Sequence, residues 1–286
     1  MADNPWLGRR VLAYAHQGGA REAPSSTMFA LHRAVAVGSD ALELDVHRSA
    51  DGHLVVCHDP TVDRTTGATG RIADLTLEQL QALDNAYWWR PGEVVDHDAG
   101  PADLPLRGRA PADRALGVAT LAEVLAAFPG VLLNLDIKQT APEVSAYEAQ
   151  LAQELVAAGR TDDVIVASFS DAALDAFSAQ GTGIGTSCGP RDVVALAQAL
   201  ATGEPIPAAV RGHVAVQVPP RFGGTDVVTA ASVHAAHDAG LAVHVWTIDD
   251  EDEMARLVDL GVDGVMTDRP SALVSVLDRL GLRWRR

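Results

Sequence analysis

Short runs rich in Val, Ile and Leu alternate eight times with amphipathic, Ala-rich stretches along the chain. The predicted strands are Val11–His16, Ala41–Arg48, Val131–Lys138, Val164–Phe169, Gly183–Cys188, Val214–Val218, Leu241–Ile248 and Gly264–Thr267. The predicted helices are Ser26–Val37, Thr120–Phe128, Glu143–Ala158, Asp171–Ala179, Arg191–Leu200, Thr229–Ala239, Asp250–Leu260 and Ser271–Leu280. Eight strand–helix repeats in an α/β chain predict a (β/α)8 TIM barrel. A doubly wound open sheet is the alternative, because alternation alone does not establish that the sheet closes.

One segment interrupts this alternation after the second predicted strand. Residues 52–117 contain an apolar run, one short predicted helix at Leu75–Leu83, and a long stretch rich in Pro, Gly, Asp and Arg without periodicity. Loops much longer than about 15 residues are usually functional or disordered. We therefore expect residues 1–286 to form a single barrel domain, with residues 52–117 as an insertion on its C-terminal face. The aromatic residues 87–89 either pack this insertion onto the barrel or face a substrate.

Composition excludes several classes of protein. The 22 Lys and Arg residues against 38 Asp and Glu residues give a formal net charge of −16, which disfavours a nucleic-acid partner. No run approaches the roughly 18 apolar residues of a membrane span, and the N-terminus has no signal-peptide pattern. Cys57 and Cys188 are isolated, and buried free thiols are favoured over a disulfide. We expect a soluble, cytoplasmic protein that acts on a small molecule.

Two carboxylates share one face of the second predicted strand. Side chains alternate along a strand, so Glu43 and Asp45 lie on one face and Leu44 on the other. Inside a barrel, two unpaired carboxylates would lose solvation and repel each other. A divalent cation would resolve that conflict, and hard oxygen ligands favour Mg²⁺ or Ca²⁺. The alternative is a carboxylate pair on an exposed sheet edge.

The third predicted strand repeats this pattern. Asn134, Asp136 and Lys138 alternate with apolar residues and therefore share one face. If this strand lies next to the second one, Asp136 becomes a third carboxylate beside the pair. Lys138 lies one layer closer to the C-terminal mouth, where its ammonium could bind an anionic oxygen. Together these residues favour a cation and anion site over an accident of packing.

Two histidines end strand-like runs. His16 closes the first predicted strand, and His58 closes the apolar run at the start of the insertion. The C-terminal ends of barrel strands are where TIM-barrel enzymes place their catalytic residues. Two histidines and a metal ion suit cleavage at a phosphate, because one histidine can accept a proton while the other protonates the leaving alkoxide.

These residues belong to a series of motifs in a recognisable order. The motifs are Ala15-His16-Gln17-Gly18-Gly19, Glu43-Leu44-Asp45, Asp51-Gly52, His58-Asp59-Pro60-Thr61, Asp63-Arg64-Thr65-Thr66, Leu133-Asn134-Leu135-Asp136-Ile137-Lys138, Val243-His244-Val245-Trp246-Thr247, Gly261-Val262-Asp263-Gly264 and Thr267-Asp268-Arg269-Pro270. The series covers almost the whole chain and resembles the glycerophosphodiester phosphodiesterase family.

The resemblance implies a metal-dependent barrel enzyme that hydrolyses glycerophosphodiesters to an alcohol and glycerol 3-phosphate. It implies that two histidines act as general acid and base, that three carboxylates hold one Mg²⁺ or Ca²⁺ ion, and that three further residues bind substrate. The attacking oxygen is either water or the substrate's own 2-hydroxyl. The implied residues are His16 and His58 for catalysis, Glu43, Asp45 and Asp136 for the metal, and Gln17, Lys138 (phosphate) and Trp246 (glycerol pocket) for the substrate.

The chain departs from the family pattern at three places. Gln17 stands where the family usually has Arg, residues 24–27 read Pro-Ser-Ser-Thr instead of Pro-Glu-Asn-Thr, and Asp136 replaces the more common Glu. A neutral amide in place of a guanidinium loses a charge-assisted phosphate contact, which corresponds to a roughly 10- to 100-fold effect on rate or affinity. Two alternatives therefore stay open: a lysophospholipase-D-like activity on lipid phosphodiesters, with residues 87–89 touching the acyl chain, and a non-catalytic anion-binding barrel.

Overall fold

The eight predicted strands form one parallel sheet in the computed structural model, which describes residues 4–110 and 112–284. The strands are β1 Leu12–His16, β2 Ala41–Arg48, β3 Leu54–Val56, β4 Ala119–Thr120, β5 Leu132–Ile137, β6 Val164–Ala167, β7 Gly185–Thr186, β8 Ala215–Val218, β9 Arg221–Phe222, β10 Thr225–Asp226, β11 Ala242–Val245 and β12 Gly264–Thr267. The parallel sheet has the order β7-β6-β5-β2-β1-β12-β11-β8.

The two ends of this sheet meet, so the sheet closes into a barrel. Ser187, just after β7, forms a parallel bridge with Ala215 in β8, and the Cys188 backbone N–H donates to the Ala215 carbonyl at 2.8 Å. The predicted TIM barrel is confirmed. The doubly wound alternative is wrong, because an open sheet of that kind has two free edges.

Nine α-helices lie in the described part of the chain. They are α1 Met28–Val37, α2 Leu77–Gln81, α3 Leu121–Ala127, α4 Glu148–Ala157, α5 Asp171–Ser178, α6 Pro190–Thr202, α7 Ala230–Asp238, α8 Glu251–Leu260 and α9 Pro270–Leu280. Hydroxyl and carboxylate side chains cap many of their N-termini, among them Thr27, Thr120, Ser170, Thr229 and Asp250. None of these helices has the length and apolar character needed to cross a bilayer.

Several predicted elements are longer than the observed ones; the strand predicted over Gly183–Cys188, for example, is only Gly185–Thr186. The helix predicted from residue 143 begins only at Glu148, because Tyr147 is buried and its hydroxyl donates to the Val46 carbonyl at 2.6 Å, which fixes the preceding segment against β2. The strand predicted to reach Ile248 ends at Val245. Beyond that point the chain makes single hydrogen bonds to neighbouring strands, such as Ile248 N–H to the Met266 carbonyl at 2.9 Å, without a continuous ladder.

The side chains of β2 alternate as the sequence predicts. Leu42, Leu44 and Val46 are fully buried in the apolar layer between the barrel and its helices. Glu43 and Asp45 lie on the opposite face of the strand. Below them the barrel interior is filled by apolar side chains and one tyrosine, namely Leu12, Tyr14, Ala41, Leu132, Ile165, Ala215, Ala242 and Met266. The polar residues therefore form a layer above an apolar floor.

The segment 52–117 leaves the barrel at the C-terminal end of β2. There β3 pairs with the last residues of β2 in antiparallel fashion, and β4 pairs with β3. Its aromatic residues are used in packing: the Trp89 Nε1 donates to the Ala20 carbonyl at 3.0 Å, and the Trp88 Nε1 donates to the Thr66 carbonyl at 2.8 Å. The structure thus favours loop packing over a substrate-facing role for residues 87–89. Cys57 and Cys188 are free and buried.

The outward packing of β2 predicts the effect of a cavity mutation. Leu44→Ala should lower the free energy of unfolding by about 2–5 kcal/mol, because a fully buried leucine leaves a cavity that the barrel cannot close. Urea denaturation measures this. Val156→Ala is the control, because Val156 is 48% exposed on α4 and should change stability by no more than about 0.5 kcal/mol. An equally small change for Leu44→Ala would contradict the assigned orientation of β2.

Candidate active site

Charged side chains from three neighbouring strands meet at the C-terminal mouth of the barrel. His16 at the end of β1 is in register with Glu43 on β2, and Asp45 on β2 is in register with Asp136 on β5. Because β1, β2 and β5 are adjacent in the sheet, residues distant in sequence become direct neighbours. The carboxylates are almost completely buried.

Lys138 lies between two of these carboxylates. Its Nζ is 2.8 Å from Asp45 Oδ1 and 2.8 Å from Asp136 Oδ2. Burial works against the ammonium, but the two carboxylates outweigh burial and raise the pKa of Lys138 above its usual value. The lysine is therefore a fixed positive charge at the base of the mouth.

One ammonium does not satisfy all of the buried carboxylate oxygens. Asp45 Oδ2 and Asp136 Oδ1 are buried without a hydrogen-bond partner. Burial raises the pKa of Glu43 to about 8, with repulsion from Asp45 as the second cause, and burial also raises the pKa of Asp136. Such a set of hard oxygen donors, with lone pairs left over, suits a divalent cation.

The carboxylates are not arranged around a metal ion as they stand. In residues 4–110 and 112–284 no three His, Cys, Asp or Glu side chains are placed so that they could hold one, and the Lys138 ammonium lies between the two aspartates instead. The donor chemistry of Glu43, Asp45 and Asp136 nevertheless fits the group that the sequence predicts, because unpartnered carboxylate oxygens in a buried site attract positive charge.

His16 is held by an aspartate from the last strand-to-helix loop. Its Nδ1 is 2.7 Å from Asp268 Oδ1, and its Nε2 is 3.7 Å from Glu43 Oε2. Burial alone would lower the pKa of His16, but Glu43 and Asp268 raise it to about 9. Asp268 is in turn fixed by its own backbone N–H, which donates to Asp249 Oδ1 at 2.8 Å. The imidazole orientation therefore depends on contacts across the β1–β12 seam.

Gln17 lies beside the reactive edge of His16. Its side-chain nitrogen is 3.2 Å from His16 Nε2, and its backbone N–H donates to Glu43 Oε2 at 3.3 Å. The residue is 3% exposed, and its Oε1 is buried without a hydrogen-bond partner. Arg21, which could have supplied the missing guanidinium, forms an ion pair with Asp249 at 3.1 Å.

His58 faces His16 from the insertion. The two ring centroids are 6.4 Å apart and the ring planes are nearly perpendicular, at 78°. His58 Nδ1 is 2.5 Å from Asp59 Oδ1, and Arg64 Nε donates to Asp59 Oδ2 at 2.7 Å. Burial opposes ionisation of Asp59, but His58 and Arg64 lower its pKa to about 2. Both histidines thus have an aspartate on Nδ1.

Sequence reasoning missed these two aspartates as site residues. Asp59 directly follows a histidine at a strand end, and Asp268 directly follows the last strand, β12. His16 is identified as a candidate because it is a polar residue at the C-terminal end of a barrel strand. The same criterion applies to Asp268. Trp246, the remaining predicted substrate residue, lies just after β11 and its ring contacts Phe169.

Comparison with known proteins identifies relatives across the whole chain. The model of the glycerophosphoryl diester phosphodiesterase family matches residues 16–272. A glycerophosphodiester phosphodiesterase of Caldanaerobacter subterraneus is 29% identical over 95% of this chain and 100% of its own length. The Bacillus subtilis glycerophosphodiester phosphodiesterase is 29% identical over 91% of this chain and 84% of its own length.

Solved structures show the same fold. The glycerophosphodiester phosphodiesterase of Agrobacterium tumefaciens superimposes with a TM-score of 0.68 at 23% identity, over 93% of this chain and 99% of that one. An Oleispira antarctica phosphodiesterase, in complex with its product sn-glycerol-3-phosphate, gives a TM-score of 0.69 at 22% identity, over 96% and 99% of the two chains. Enzymes of the matching family are in general metal-dependent. With the family model spanning most of the barrel, the chain belongs to the glycerophosphoryl diester phosphodiesterase family.

Proposed function

We propose that this chain hydrolyses glycerophosphodiesters to an alcohol and glycerol 3-phosphate. The observation that supports this most directly is the histidine pair. The ring centroids of His16 and His58 are 6.4 Å apart, and each histidine has an aspartate on Nδ1. An aspartate on Nδ1 directs the Nε2 of an imidazole outward as the atom that exchanges protons. Two such atoms on opposite sides of one phosphoryl group can serve its entering and leaving oxygens.

In the reaction the attacking oxygen forms a bond to phosphorus and the alcohol oxygen leaves, and each of the two oxygens exchanges a proton with a histidine. One histidine accepts the proton of the attacking hydroxyl, the bond from phosphorus to the alcohol oxygen breaks, and the other histidine donates a proton to that oxygen. If the attacking group is water, glycerol 3-phosphate forms directly. If it is the substrate's 2-hydroxyl, a cyclic phosphate forms first and water then opens it. Both routes consume one water molecule and release one alcohol.

Glu43, Asp45 and Asp136 are proposed to hold one Mg²⁺ or Ca²⁺ ion. When bound, such an ion neutralises negative charge that develops on the phosphoryl oxygens. The proposal is supported by the two unpartnered aspartate oxygens and by the raised pKa of Glu43. Lys138 is proposed to bind the phosphate, because its ammonium lies at the same carboxylates and is partly exposed to the mouth.

Two further residues are proposed to contact the substrate. Gln17 has a buried Oε1 without a partner, which can accept a hydrogen bond from a substrate hydroxyl, whereas the usual arginine could only donate. Trp246 is half-buried at the end of β11, where its ring can cover the carbon face of glycerol. The family's typical guanidinium contact is thus replaced by a neutral one in this chain.

Domain organisation, cellular location and the disfavoured partner are proposed from the sequence together with the structure. We propose one barrel domain over residues 1–286, with 52–117 as its insertion, because β3 and β4 extend the barrel sheet and do not form a separate one. A cytoplasmic location stays a prediction, and the two free buried thiols agree with a reducing compartment. Nucleic acid is disfavoured as a partner by the net charge of −16.

Removal of either histidine should abolish most of the activity. In His16→Ala and His58→Ala, kcat for glycerophosphocholine should fall by about 10²–10⁴-fold, because a proton acceptor or donor is lost. Release of choline measures this. His234→Ala is the control, because His234 is exposed on α7 and should leave kcat unchanged. Unchanged turnover in both site variants would remove the acid–base assignment. Binding without turnover in the wild-type protein would favour the anion-binding barrel.

The three carboxylates predict that a divalent cation binds to the protein with a measurable affinity. Mg²⁺ or Ca²⁺ should bind the wild-type protein in isothermal titration calorimetry, and EDTA should stop hydrolysis. Asp136→Asn should weaken metal binding by about tenfold or more, because a charged oxygen ligand becomes neutral. The exposed Asp162→Asn is the matched control and should bind the ion as the wild type does. Equal affinity in both variants would contradict the proposed ligand set.

Asp268 should act as a positioning residue for His16. Asp268→Asn should lower kcat by about 10- to 100-fold while KM for glycerophosphocholine stays close to the wild-type value, because the imidazole loses its oriented partner but the substrate contacts remain. The free energy of unfolding is measured in parallel. A fall in kcat that is accompanied by an equal loss of stability would instead indicate a structural role.

A further inference from the structure

A carboxamide side chain lies inside the barrel, one layer beneath Trp246. Gln217 in β8 is in register with His244 in β11, and Trp246 follows His244 by two residues. Gln217 shares its strand face with Ala215, which belongs to the interior cluster, and Trp246 packs against the same cluster. Gln217 is half-buried, and the interior below it is filled by apolar side chains. Its exposed part therefore faces the mouth.

Two acceptors fix the orientation of this carboxamide. Gln217 Nε2 donates to Asn134 Oδ1 at 2.7 Å, across the barrel from β8 to β5, and it lies 3.3 Å from His244 Nδ1. Burial lowers the pKa of His244 to about 3, so the imidazole is neutral near pH 7 and its Nδ1 can accept the second N–H of the amide. With Nε2 held by both partners, Gln217 Oε1 points away from them in a fixed direction.

The free oxygen of this amide distinguishes a binding group from a brace of the barrel. An interior amide with a purely structural role is expected to have both of its polar atoms paired, because an unpaired polar atom away from water costs free energy. Gln217 pairs only its nitrogen. In residues 4–110 and 112–284 no group donates to Gln217 Oε1, and this oxygen is accessible to solvent. The side chain thus presents an oriented hydrogen-bond acceptor to whatever occupies the mouth.

The amide lies beneath the space between the two proposed substrate contacts on this side of the mouth. Asn134 shares one face of the chain with Lys138, the proposed phosphate contact, and His244 shares one face with Trp246, the proposed glycerol contact. The hydrogen bond from Gln217 to Asn134 runs below both. In a glycerophosphodiester the 2-hydroxyl stays close to the phosphate, whereas the hydroxyl on the terminal carbon is the one farthest from phosphorus. The terminal hydroxyl is therefore the group that reaches Gln217.

We infer that Gln217 is a specificity-determining residue whose Oε1 accepts a hydrogen bond from the terminal hydroxyl of the glycerol moiety. Trp246 cannot make this selection, because an apolar surface discriminates only weakly between a methyl group and a hydroxyl, whereas an oriented acceptor discriminates strongly. The inference rests on the proposed phosphodiesterase activity and deepens it. The site then selects glycerol over a diol that ends in a methyl group.

Two substrates that differ by one oxygen atom test this role. Glycerophosphocholine is compared with the choline phosphodiester of propane-1,2-diol, which lacks the terminal hydroxyl but keeps the 2-hydroxyl and the leaving group. Choline release gives kcat/KM for each. The wild type should prefer glycerophosphocholine by about tenfold, because the analogue leaves Oε1 unpaired. In Gln217→Met, which has a similar length and no carbonyl oxygen, the preference should fall to about twofold or less.

Two further variants make the result specific to the carbonyl oxygen. Gln217→Asn keeps a carboxamide but withdraws it by one methylene, so it should also lose most of the preference, and it decides the test if Gln217→Met does not fold. Gln180→Met makes the same change at an exposed position just after α5 and should keep the tenfold preference.

The pattern across both substrates separates the possible outcomes. An equal fall of kcat/KM on the two substrates in the Gln217 variants would indicate a brace of the barrel and overturn the inference. So would an unchanged preference in these variants, or the absence of any preference in the wild type. Failure of the wild type to turn over either substrate would overturn the proposed activity itself, and with it the inference that rests on it.

Discussion

Three carboxylates buried at one end of a barrel are the constraint on which the rest of the site depends. Glu43, Asp45 and Asp136 lie on adjacent strands, and burial raises the pKa of both Glu43 and Asp136, with repulsion from Asp45 as a further cause. Lys138 offsets part of this cost through two contacts of 2.8 Å. Because a single ammonium cannot pair with every carboxylate oxygen, the cluster keeps a demand for positive charge. That demand supports the proposal that these residues take up a divalent cation, which would also let an anionic phosphodiester approach a surface of such acidity.

Burial of apolar side chains in the rest of the barrel offsets the energetic cost of this carboxylate cluster. Its outward-facing residues, such as Leu44, are fully buried against the helices, and its lower interior is filled by apolar side chains around Tyr14. The apolar floor excludes water from below, so electrostatic interactions in the layer above it are stronger than they would be in water. Because β5, β2, β1 and β12 are consecutive parallel neighbours in the sheet, their C-terminal ends and the loop that follows β12 lie at a single mouth.

The sequence predicts the parts of this arrangement that depend on local periodicity. Alternation along β2 and β5 is enough to place the carboxylates on one face, and β2 and β12 have the predicted bounds. Local periodicity does not predict contacts that depend on pairing between strands far apart in the sequence. Asp268 reaches His16 across 252 residues because the last strand pairs with the first, which no local pattern reveals. Nor does it predict that Lys138 bridges two carboxylates instead of lying free above them, because that depends on the rotamer of a long side chain.

The two halves of the mouth carry different kinds of side chain. On one side, His16 and His58 with their aspartate partners lie near the neutral Gln17, and these groups can exchange protons. On the β6–β11 side, Phe169 and Trp246 offer only aromatic surface, and the Lys138 ammonium separates the two halves. Because Gln17 offers only a neutral amide where the pattern that this chain resembles has a guanidinium, a phosphate bound in this half would gain less from that position. The binding of a phosphate by this chain would therefore depend chiefly on Lys138 and on the proposed cation, because both carry a full positive charge.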